Sequence, residues 1–579
     1  MKKSPEYQNW EMHNFRELLD GIEARYPENL AFTWRCADTE TGVTEKTVAE
    51  YADDVRNLAT YLCAMGLEGK PVAVTGKNSY LWSVSYMAVG CGCGLIVPLD
   101  KDLRADELSD LLQDACCAAV LYSEDMSEKL DAIEISGLMK LPLSGIDAYL
   151  TQGRTLREAG SLAYENHAVD SDAPGVLLYT SGTMGVAKGV LLSQNNICSD
   201  IVNVCKKFKI TSDDRVLSHL PLHHTYECMT ELAILYHGAS IAFNDSMRRM
   251  PGDLTLFRPT ILITVPAVLE FMSRFVKKGY AEAKGGKILL GVQKAATGVV
   301  SGTVGLVSRA SAEKSRRGIF STVHKFMGGR LRAILVGAAA LSPEIFRQFE
   351  QFGYAVYIGY GLTETSPISL MHDDVYRNPE DTGFPVWGVD VRIDEPDENG
   401  VGELCVRGPN VMLGYYNNEE ATAEVLRDGW FHTGDLAMQT PTGAYRITGR
   451  MKSMIVSPTG KKIFPEELEA YFMKNPLVAE CLVYAEEKNE GQTLCVAVYP
   501  DKAELIKLLE LDPDTDLAAL SEEDTARAKT LLLDIVRSVN TAFPAYKHIR
   551  KLVIRKTEFL KTTTRKITRN APENASDAE

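Results

Sequence analysis

The run Tyr179-Thr180-Ser181-Gly182-Thr183-Met184-Gly185-Val186-Ala187-Lys188-Gly189-Val190 gathers glycines, hydroxyls and one lysine into a single short segment. Gly182, Gly185 and Gly189 open backbone angles closed to other residues and let N–H groups approach an anion. Thr180, Ser181 and Thr183 add hydroxyl donors, and Lys188 adds a mobile positive charge. These residue types suit a phosphate chain. The Walker phosphate loop is a different device, because it needs glycine where this chain has Ala187 and Ser or Thr where this chain has Gly189. Taken alone, the segment reads equally well as a surface loop rich in Ser, Thr and Gly.

Two other groups invite chemistry. His223 and His224 are adjacent, so on a strand or loop their side chains diverge, and no Cys or Asp spacing completes a zinc site around them. The alternative is a histidine satisfied by backbone groups. Between Tyr546 and Arg569, nine basic residues from Lys547 to Arg569 are opposed only by Glu558. Such a strip is a solvated face, or a field that steers phosphates or an acidic carrier protein.

The elements that must position these groups read as parallel α/β units. Val176 to Tyr179 is a short apolar strand before the glycine loop, and after it Ser193 caps a helix with the stripe Ile197, Ile201, Val204 and Phe208. The expected order is strand, loop, capped helix. Upstream, helix and strand alternate through Val48 to Met65, Val72 to Thr75, Leu81 to Val89, Leu95 to Leu99 and Ala105 to Asp114. Downstream, Val216 to Leu220, Thr260 to Val265, Ala333 to Gly337 and Ala355 to Ile358 are strand-like. Near Val386 the text becomes β-rich, with turns at Asp397-Glu398-Asn399-Gly400, Arg427-Asp428-Gly429 and Pro441-Thr442-Gly443. A smaller α/β unit follows Gly449-Arg450-Met451-Lys452, with a helix from Pro465 to Phe472, strands from Glu480 to Ala485 and Thr493 to Tyr499, and an acidic helix from Leu517 to Asn540. The polar end from Asn570 reads as a disordered tail.

A chain of 579 residues, 45% of them apolar, exceeds one ordinary domain and can bury large cores. Its net charge of −16 argues against nucleic acid as a partner. The twelve cysteines show no paired spacing; Cys91-Gly92-Cys93 and Cys116-Cys117 are too close for ordinary bridges, and read as small buried residues of a reducing compartment. The N-terminus lacks the apolar core of a signal peptide, so the expected location is cytoplasmic. Val84 to Leu99 is too short and glycine-broken to span a bilayer and reads as helix then strand. Ile288 to Val307 is apolar but carries Gln293, Lys294 and glycines, and suits a lid or a surface helix in peripheral contact with a membrane.

Five further segments follow the glycine loop: Leu220-Pro221-Leu222-His223-His224-Thr225-Tyr226-Glu227, Gly337-Ala338-Ala339-Ala340-Leu341, Tyr360-Gly361-Leu362-Thr363-Glu364, Trp430-Phe431-His432-Thr433-Gly434-Asp435, and the run from Tyr445 to Glu469 closed by Lys561 to Arg569. Together, from about Phe15 to Arg569, they resemble the adenylate-forming superfamily of acyl-CoA synthetases, adenylation domains and luciferases. The phrases Ile455 to Glu469 and Gly328-Gly329-Arg330-Leu331-Arg332, with the Gly- and Ser-rich insert before them, look most like the long-chain fatty acid group.

The resemblance implies an α/β fold: a large AMP-binding domain (1–449) of α/β subdomains plus a β-rich subdomain, and a small mobile α/β domain (450–569) before the tail (570–579). It implies ATP, Mg²⁺ and coenzyme A as cofactors and a carboxylic acid as substrate, converted to acyl-AMP with loss of pyrophosphate and then to a thioester. By resemblance, Thr180, Ser181, Gly182, Thr183, Gly185 and Lys188 hold the β- and γ-phosphates, Thr183 with Glu364 binds Mg²⁺, and Lys566 reaches the α-phosphate and the carboxylate. Tyr360 lies against adenine, in one nucleotide-binding phrase with Gly361 and Thr363, and Gly337, Ala338 and Ala339 form the opposite wall. Asp435 accepts from the ribose and Arg450 contacts the ribose or phosphate. His224 lies near the carboxylate. Lys452 marks the hinge about which the small domain turns, and Gly460 lets the pantetheine arm pass. Read without the resemblance, Thr433-Gly434-Asp435 is an ordinary turn, Tyr360 a core aromatic and Arg450 a surface charge.

Met184 and Ala187 depart from the family's usual Thr or Ser and proline, Ser453 from its usual acid, and Leu560 and Arg565 from proline and glycine. Altered ATP affinity is the expected consequence of the first two, altered hinge energetics of Ser453 and altered loop stiffness of the last two. The expected activity is an AMP-forming fatty acid–CoA ligase; the rivals are an acyl-AMP ligase that loads a carrier protein and a regulatory protein that binds nucleotide without turnover.

Overall fold

The computed structural model describes residues 9–37, 39, 41–180, 188–282, 309–456, 461–488, 491–512, 515, 520–561, 567–569 and 574. They fall into two compact units. The larger comprises the described residues up to Thr180 with 188–391 and 406–431; the smaller comprises Arg392–Cys405 and the described residues from His432 onward.

The larger unit is built on two sheets. In the first, the neighbours run Gly414–Tyr415, Lys188–Ser193, Pro174–Thr180, Ile96–Leu99, Val72–Thr75, Ala119–Tyr122 and Met139–Pro142. Its last five strands are parallel, as the alternation with helices Val48–Ala64, Tyr80–Gly92 and Ala105–Asp114 requires. The second is nine-stranded, and its middle, Ala355–Gly361, Ala333–Val336, Ile261–Thr264, Arg215–Ser218 and Ser240–Phe243, is parallel.

One expected order is corrected. Between the glycine loop and its helix lies a second strand, Lys188–Ser193, antiparallel to Pro174–Thr180 with Thr180 opposite Lys188. The short apolar run Val190 to Leu192 is a strand in its own right, and the glycine segment therefore joins the two arms of a hairpin. Ser193 caps the helix Gln194–Lys207 as expected: its Oγ accepts from Asn196 N at 3.0 Å, and Asn196 Oδ1 accepts from Ser193 N at 2.8 Å. Ile197, Ile201, Val204 and Phe208 are buried.

In the smaller unit, Trp430–Gln439 pairs with Tyr445–Arg450. Helix Pro465–Phe472 precedes an antiparallel pair, Val478–Lys488 and Gly491–Pro500, and Lys551–Ile554 adds to the latter in parallel. The acidic helix runs Glu522–Ala542, because Ser521 caps it there and accepts from Asp524 N at 3.0 Å. Asn574 is buried: its side chain accepts from Leu560 N at 2.7 Å and donates to Thr568 O at 2.8 Å.

All twelve cysteines are free thiols; Cys91, Cys93 and Cys117 are buried, whereas Cys116 is exposed. Among the described residues no helix is long and apolar enough to cross a membrane. The segment Ile288 to Val307 lies outside the described residues.

Asp214 knots the second sheet together where its parallel strands begin. Its carboxylate accepts from Arg332 Nε at 2.9 Å and Nη2 at 2.8 Å, from Thr260 Oγ1 at 2.6 Å and from Thr211 N at 2.9 Å. Burial alone would raise its pKa, but Arg332 and these hydrogen bonds outweigh burial and hold it below the usual carboxylate range. The lowered value makes the knot stabilising above the ordinary aspartate pKa of about 3.9, and that contribution is lost as pH falls through the folded-state value. Arg332→Met, which leaves a buried charge unpaired, is expected to cost about 3–5 kcal/mol at pH 7. The gap from wild type narrows below about pH 4 in urea denaturation; a gap that does not change with pH would remove the knot from this role.

Candidate functional site

Pairing within the larger unit brings three of the sequence-derived residues together. The strand Gly414–Tyr415 lies antiparallel to Lys188–Ser193, with Tyr415 opposite Val190, and Tyr416 N donates to Gly189 O at 2.7 Å. The same segment is stitched to the turn that contains Glu364, since Met412 N donates to Glu364 O at 2.9 Å. Tyr415 Oη donates to Glu364 Oε1 at 3.0 Å, and Lys188 Nζ stands 4.7 Å from the centre of the Tyr415 ring. Burial and the neighbouring Glu364 push the Tyr415 phenol well up, so it stays a donor at any physiological pH. Thr180, across the hairpin from Lys188, donates from Oγ1 to Lys188 O at 3.4 Å. A half-buried carboxylate, a lysine and a threonine thus flank the hairpin mouth.

Glu364 and Thr363 sit in the 3₁₀ turn Thr363–Thr365, one residue after Tyr360 and Gly361, the last two residues of the strand Ala355–Gly361. Gly361 is required by close approach: a Cβ there would fall 1.5 Å from Pro367 O. Asn410 Nδ2 donates to Thr365 O at 3.0 Å and Ile368 O at 3.2 Å, which fastens the turn from behind.

Gly337, Ala338 and Ala339 follow the strand Ala333–Val336. Gly337 is buried and donates from N to Thr264 O at 3.2 Å, while Ala338 and Ala339 are exposed. Ala338 has φ 66°, a left-handed backbone uncommon for alanine. The Tyr226 ring packs on Gly337, where an added Cβ would meet Tyr226 Cζ at 3.1 Å.

His224 is the N-cap residue of helix Thr225–Tyr236, its ring centre 4.1 Å from that of His223. Burial pushes the His223 pKa down to about 4, so that ring is neutral at neutral pH. Among the described residues neither histidine belongs to a group of metal-ligating side chains. On the same helix Glu227 is buried; it accepts from His219 N at 3.1 Å, and burial pushes its pKa up to about 8.

In the smaller unit, Asp435 and Arg450 face each other across paired strands, with Arg450 Nε 2.8 Å from Asp435 Oδ1. Asp435 is only 3% exposed, so its carboxylate is presented from a fixed frame. Thr433 Oγ1 donates to Leu404 O at 2.7 Å and accepts from Asp435 N at 3.0 Å, and Glu403 Oε1 accepts from Gly434 N at 2.9 Å. Lys452 is exposed in the turn Met451–Ser453. Ser181, Gly182, Thr183, Gly185, Gly460 and Lys566 lie outside the described residues.

Sequence reasoning missed Tyr415, Tyr226 and Glu403. Each acts through a partner distant in the chain; Tyr226 lies within the quoted phrase Leu220 to Glu227, whereas Tyr415 and Glu403 stand in no spacing that marks them.

The family model described as "AMP-binding enzyme" matches residues 20–416. The long-chain-fatty-acid–CoA ligase FadD15 of Mycobacterium bovis is 30% identical over 565 residues, covering 93% of this chain and 92% of that protein. A chloroplastic long-chain-fatty-acid–[acyl-carrier-protein] ligase of Arabidopsis thaliana, AEE15, is 28% identical over 66% of this chain and 59% of its own length. Among solved structures, o-succinylbenzoate CoA synthetase of Bacillus subtilis, in complex with its acyl-adenylate intermediate, aligns with TM-score 0.73 at 20% identity, covering 97% of this chain and 99% of that one. That likeness establishes the adenylate-forming fold.

Tyr415→Phe removes the hydrogen bond that orients Glu364 and keeps the ring beneath Lys188. The Mg²⁺ concentration needed for half-maximal turnover is expected to rise roughly 10-fold with the unfolding midpoint unchanged, and an unaltered requirement would detach Glu364 from the metal. For Glu227, a folded-state pKa above the unfolded value makes its ionisation a penalty that grows from the unfolded glutamate value, about 4.3, to about 8. Glu227→Gln is therefore expected to stabilise increasingly over that interval, measured as the shift in thermal midpoint at pH 5 against pH 8; equal shifts at both would contradict the raised pKa.

Proposed function

Because the chain belongs to the AMP-binding enzyme family, we propose that it is an ATP-dependent acyl-CoA synthetase whose acid is a medium- or long-chain fatty acid. The observation that carries the site assignment is the Lys188–Tyr415–Glu364 arrangement at the hairpin mouth.

The chemistry to be performed is attack of a carboxylate on the α-phosphate of ATP, two anions brought together, with pyrophosphate leaving; charge neutralisation is the main requirement. Lys188 and the donors of the segment 180–188 suit the β- and γ-phosphates. Glu364, with Thr183, suits Mg²⁺, a hard cation that takes oxygen ligands. When bound, Mg²⁺ neutralises charge on the phosphates as pyrophosphate departs. Tyr415 fixes the Glu364 carboxylate for that task. Tyr360 and Gly337 to Ala339 suit the adenine, and Asp435 with Arg450 suits the ribose. Lys566 supplies positive charge where the acyl–phosphate bond forms.

In the second step the CoA thiol attacks the acyl carbonyl, the thiol proton goes to solvent and AMP leaves. We assign the rotation between the steps to a hinge at Lys452, the mobile part being 450–569, with Gly460 beside the pantetheine arm. A carrier-protein acceptor is the second reading. It is favoured by the name of the Arabidopsis relative; of the basic residues between Lys547 and Arg569, Lys547, Lys551, Lys561 and Arg569 already pair with glutamates of this chain.

The test is to incubate purified protein with Mg-ATP and a pool of short, long and aromatic acids, with and without CoA, and to identify products by mass spectrometry. Acyl-CoA from C8 or longer acids, appearing only with CoA, is the expected result. Acyl-adenylate indifferent to CoA supports the carrier-protein reading, and absence of AMP with every acid rejects the synthetase. Lys566→Ala is expected to lower adenylate formation by roughly 10²-fold or more while sparing thioester formation from supplied acyl-adenylate.

A further inference from the structure

We propose that Asp394, Glu403, Cys405 and His432 form a binding site for a thiophilic divalent cation of the zinc class. One ligand atom from each of the four lies within 4.8 Å of all the others. His432 Nδ1 is 2.8 Å from Glu403 Oε2 and 3.3 Å from Cys405 Sγ. A thiolate, an imidazole nitrogen and two carboxylate oxygens make a four-ligand set suited to tetrahedral zinc, with bond lengths of about 2.0–2.3 Å that place neighbouring ligand atoms roughly 3.3–3.8 Å apart. The short His432–Glu403 pair would open by about half an ångström, and any pair near the 4.8 Å limit would close by about one.

The frame is already built. Glu403 and Cys405 are two residues apart on the strand Gly402–Arg407, so both side chains leave the same face. Asp394 comes from the neighbouring strand Asp390–Asp394 on one side and His432 from Trp430–Gln439 on the other. Cys405 and His432 are buried, and Asp394 and Glu403 are half-buried, which leaves an entry from the carboxylate side.

Charge supports occupancy. Three anionic ligands around a dication leave one negative charge, and the Arg392 guanidinium, with Nη2 3.4 Å from Asp394 Oδ1, supplies the opposite one. On binding, the Cys405 thiol gives its proton to solvent and the cation takes the place of the direct His432–Glu403 contact. Glu403 also accepts through Oε1 from Gly434 N, next to Asp435, while Oε2 faces His432, so the ion and the turn carrying Asp435 share one carboxylate. That last consequence rests on the nucleotide reading of Asp435; the site itself does not.

The full-length protein, reduced and stripped with chelator, is titrated with Co²⁺ and followed by absorption. One equivalent is expected to give a thiolate-to-cobalt charge-transfer band with the visible bands of tetrahedral cobalt, abolished by added Zn²⁺. Cys405→Ser is expected to lose the charge-transfer band, and Asp394→Asn to keep it with affinity lowered at least 10-fold. No band in wild type, or a band that persists in Cys405→Ser through another thiol such as the exposed Cys116, overturns the proposal. Far-UV circular dichroism of both variants separates loss of the site from loss of the fold, and a misfolded Cys405→Ser leaves the decision to Asp394→Asn, whose unchanged affinity is equally adverse. The readout is binding, so an error in the synthetase assignment leaves it standing.

Discussion

The antiparallel register between Pro174–Thr180 and Lys188–Ser193, extended on its far side by Gly414–Tyr415, is the constraint from which the site in the larger unit follows. A hairpin with Thr180 opposite Lys188 fixes both ends of the glycine segment at once. It also sets which side chains of the third strand can reach Lys188. Because Tyr415 pairs with Val190 and Met412 is tied to Glu364, a lysine, a carboxylate and a phenol spread along the chain from Lys188 to Tyr415 become neighbours. A slip of one residue would send Tyr415 to the opposite face of the sheet and leave Glu364 without its donor.

Buried ionisable groups show how the rest of this unit tolerates polarity. Asp214 keeps its charge, since Arg332 and three further donor atoms meet the carboxylate. Glu227 and Glu231, four residues apart on a buried helix, are pushed up to about 8, and His219 and His223 are pushed down to about 4. Near neutral pH these side chains are mostly neutral, as burial without a countercharge requires. The pair His223-His224 belongs to this pattern: a neutral buried ring next to a helix cap.

In the smaller unit, three neighbouring strands organise the chemistry. Hydrogen bonds from Thr433 and to Glu403 hold the turn that leads to Asp435, and Arg450 meets that carboxylate from the paired strand. The proposed cation site uses the same sheet and the same glutamate, which would couple metal occupancy to the nucleotide contact at a distance of one or two residues.

Much of the fold was legible from local pattern. The helix Pro465–Phe472 and the strands near Val72, Ile261 and Ala355 carry their signal in short-range periodicity and capping, and Ser193 announces its helix through its own side chain. The strand Lys188–Ser193 was not legible, because a brief apolar run is equally a strand or an approach to a helix until its partner is known. Family membership, likewise, resided in the sequence: six ordered phrases of residue types suited to phosphate, ribose and carboxylate chemistry. What only the tertiary structure decided is which distant side chains complete those phrases. Tyr415 for Glu364, and Glu403 and Cys405 for His432, are matched by strand pairing, and Tyr226 for Gly337 by a helix packed at a strand end; both are set by the burial of whole sheet faces, which no local spacing records.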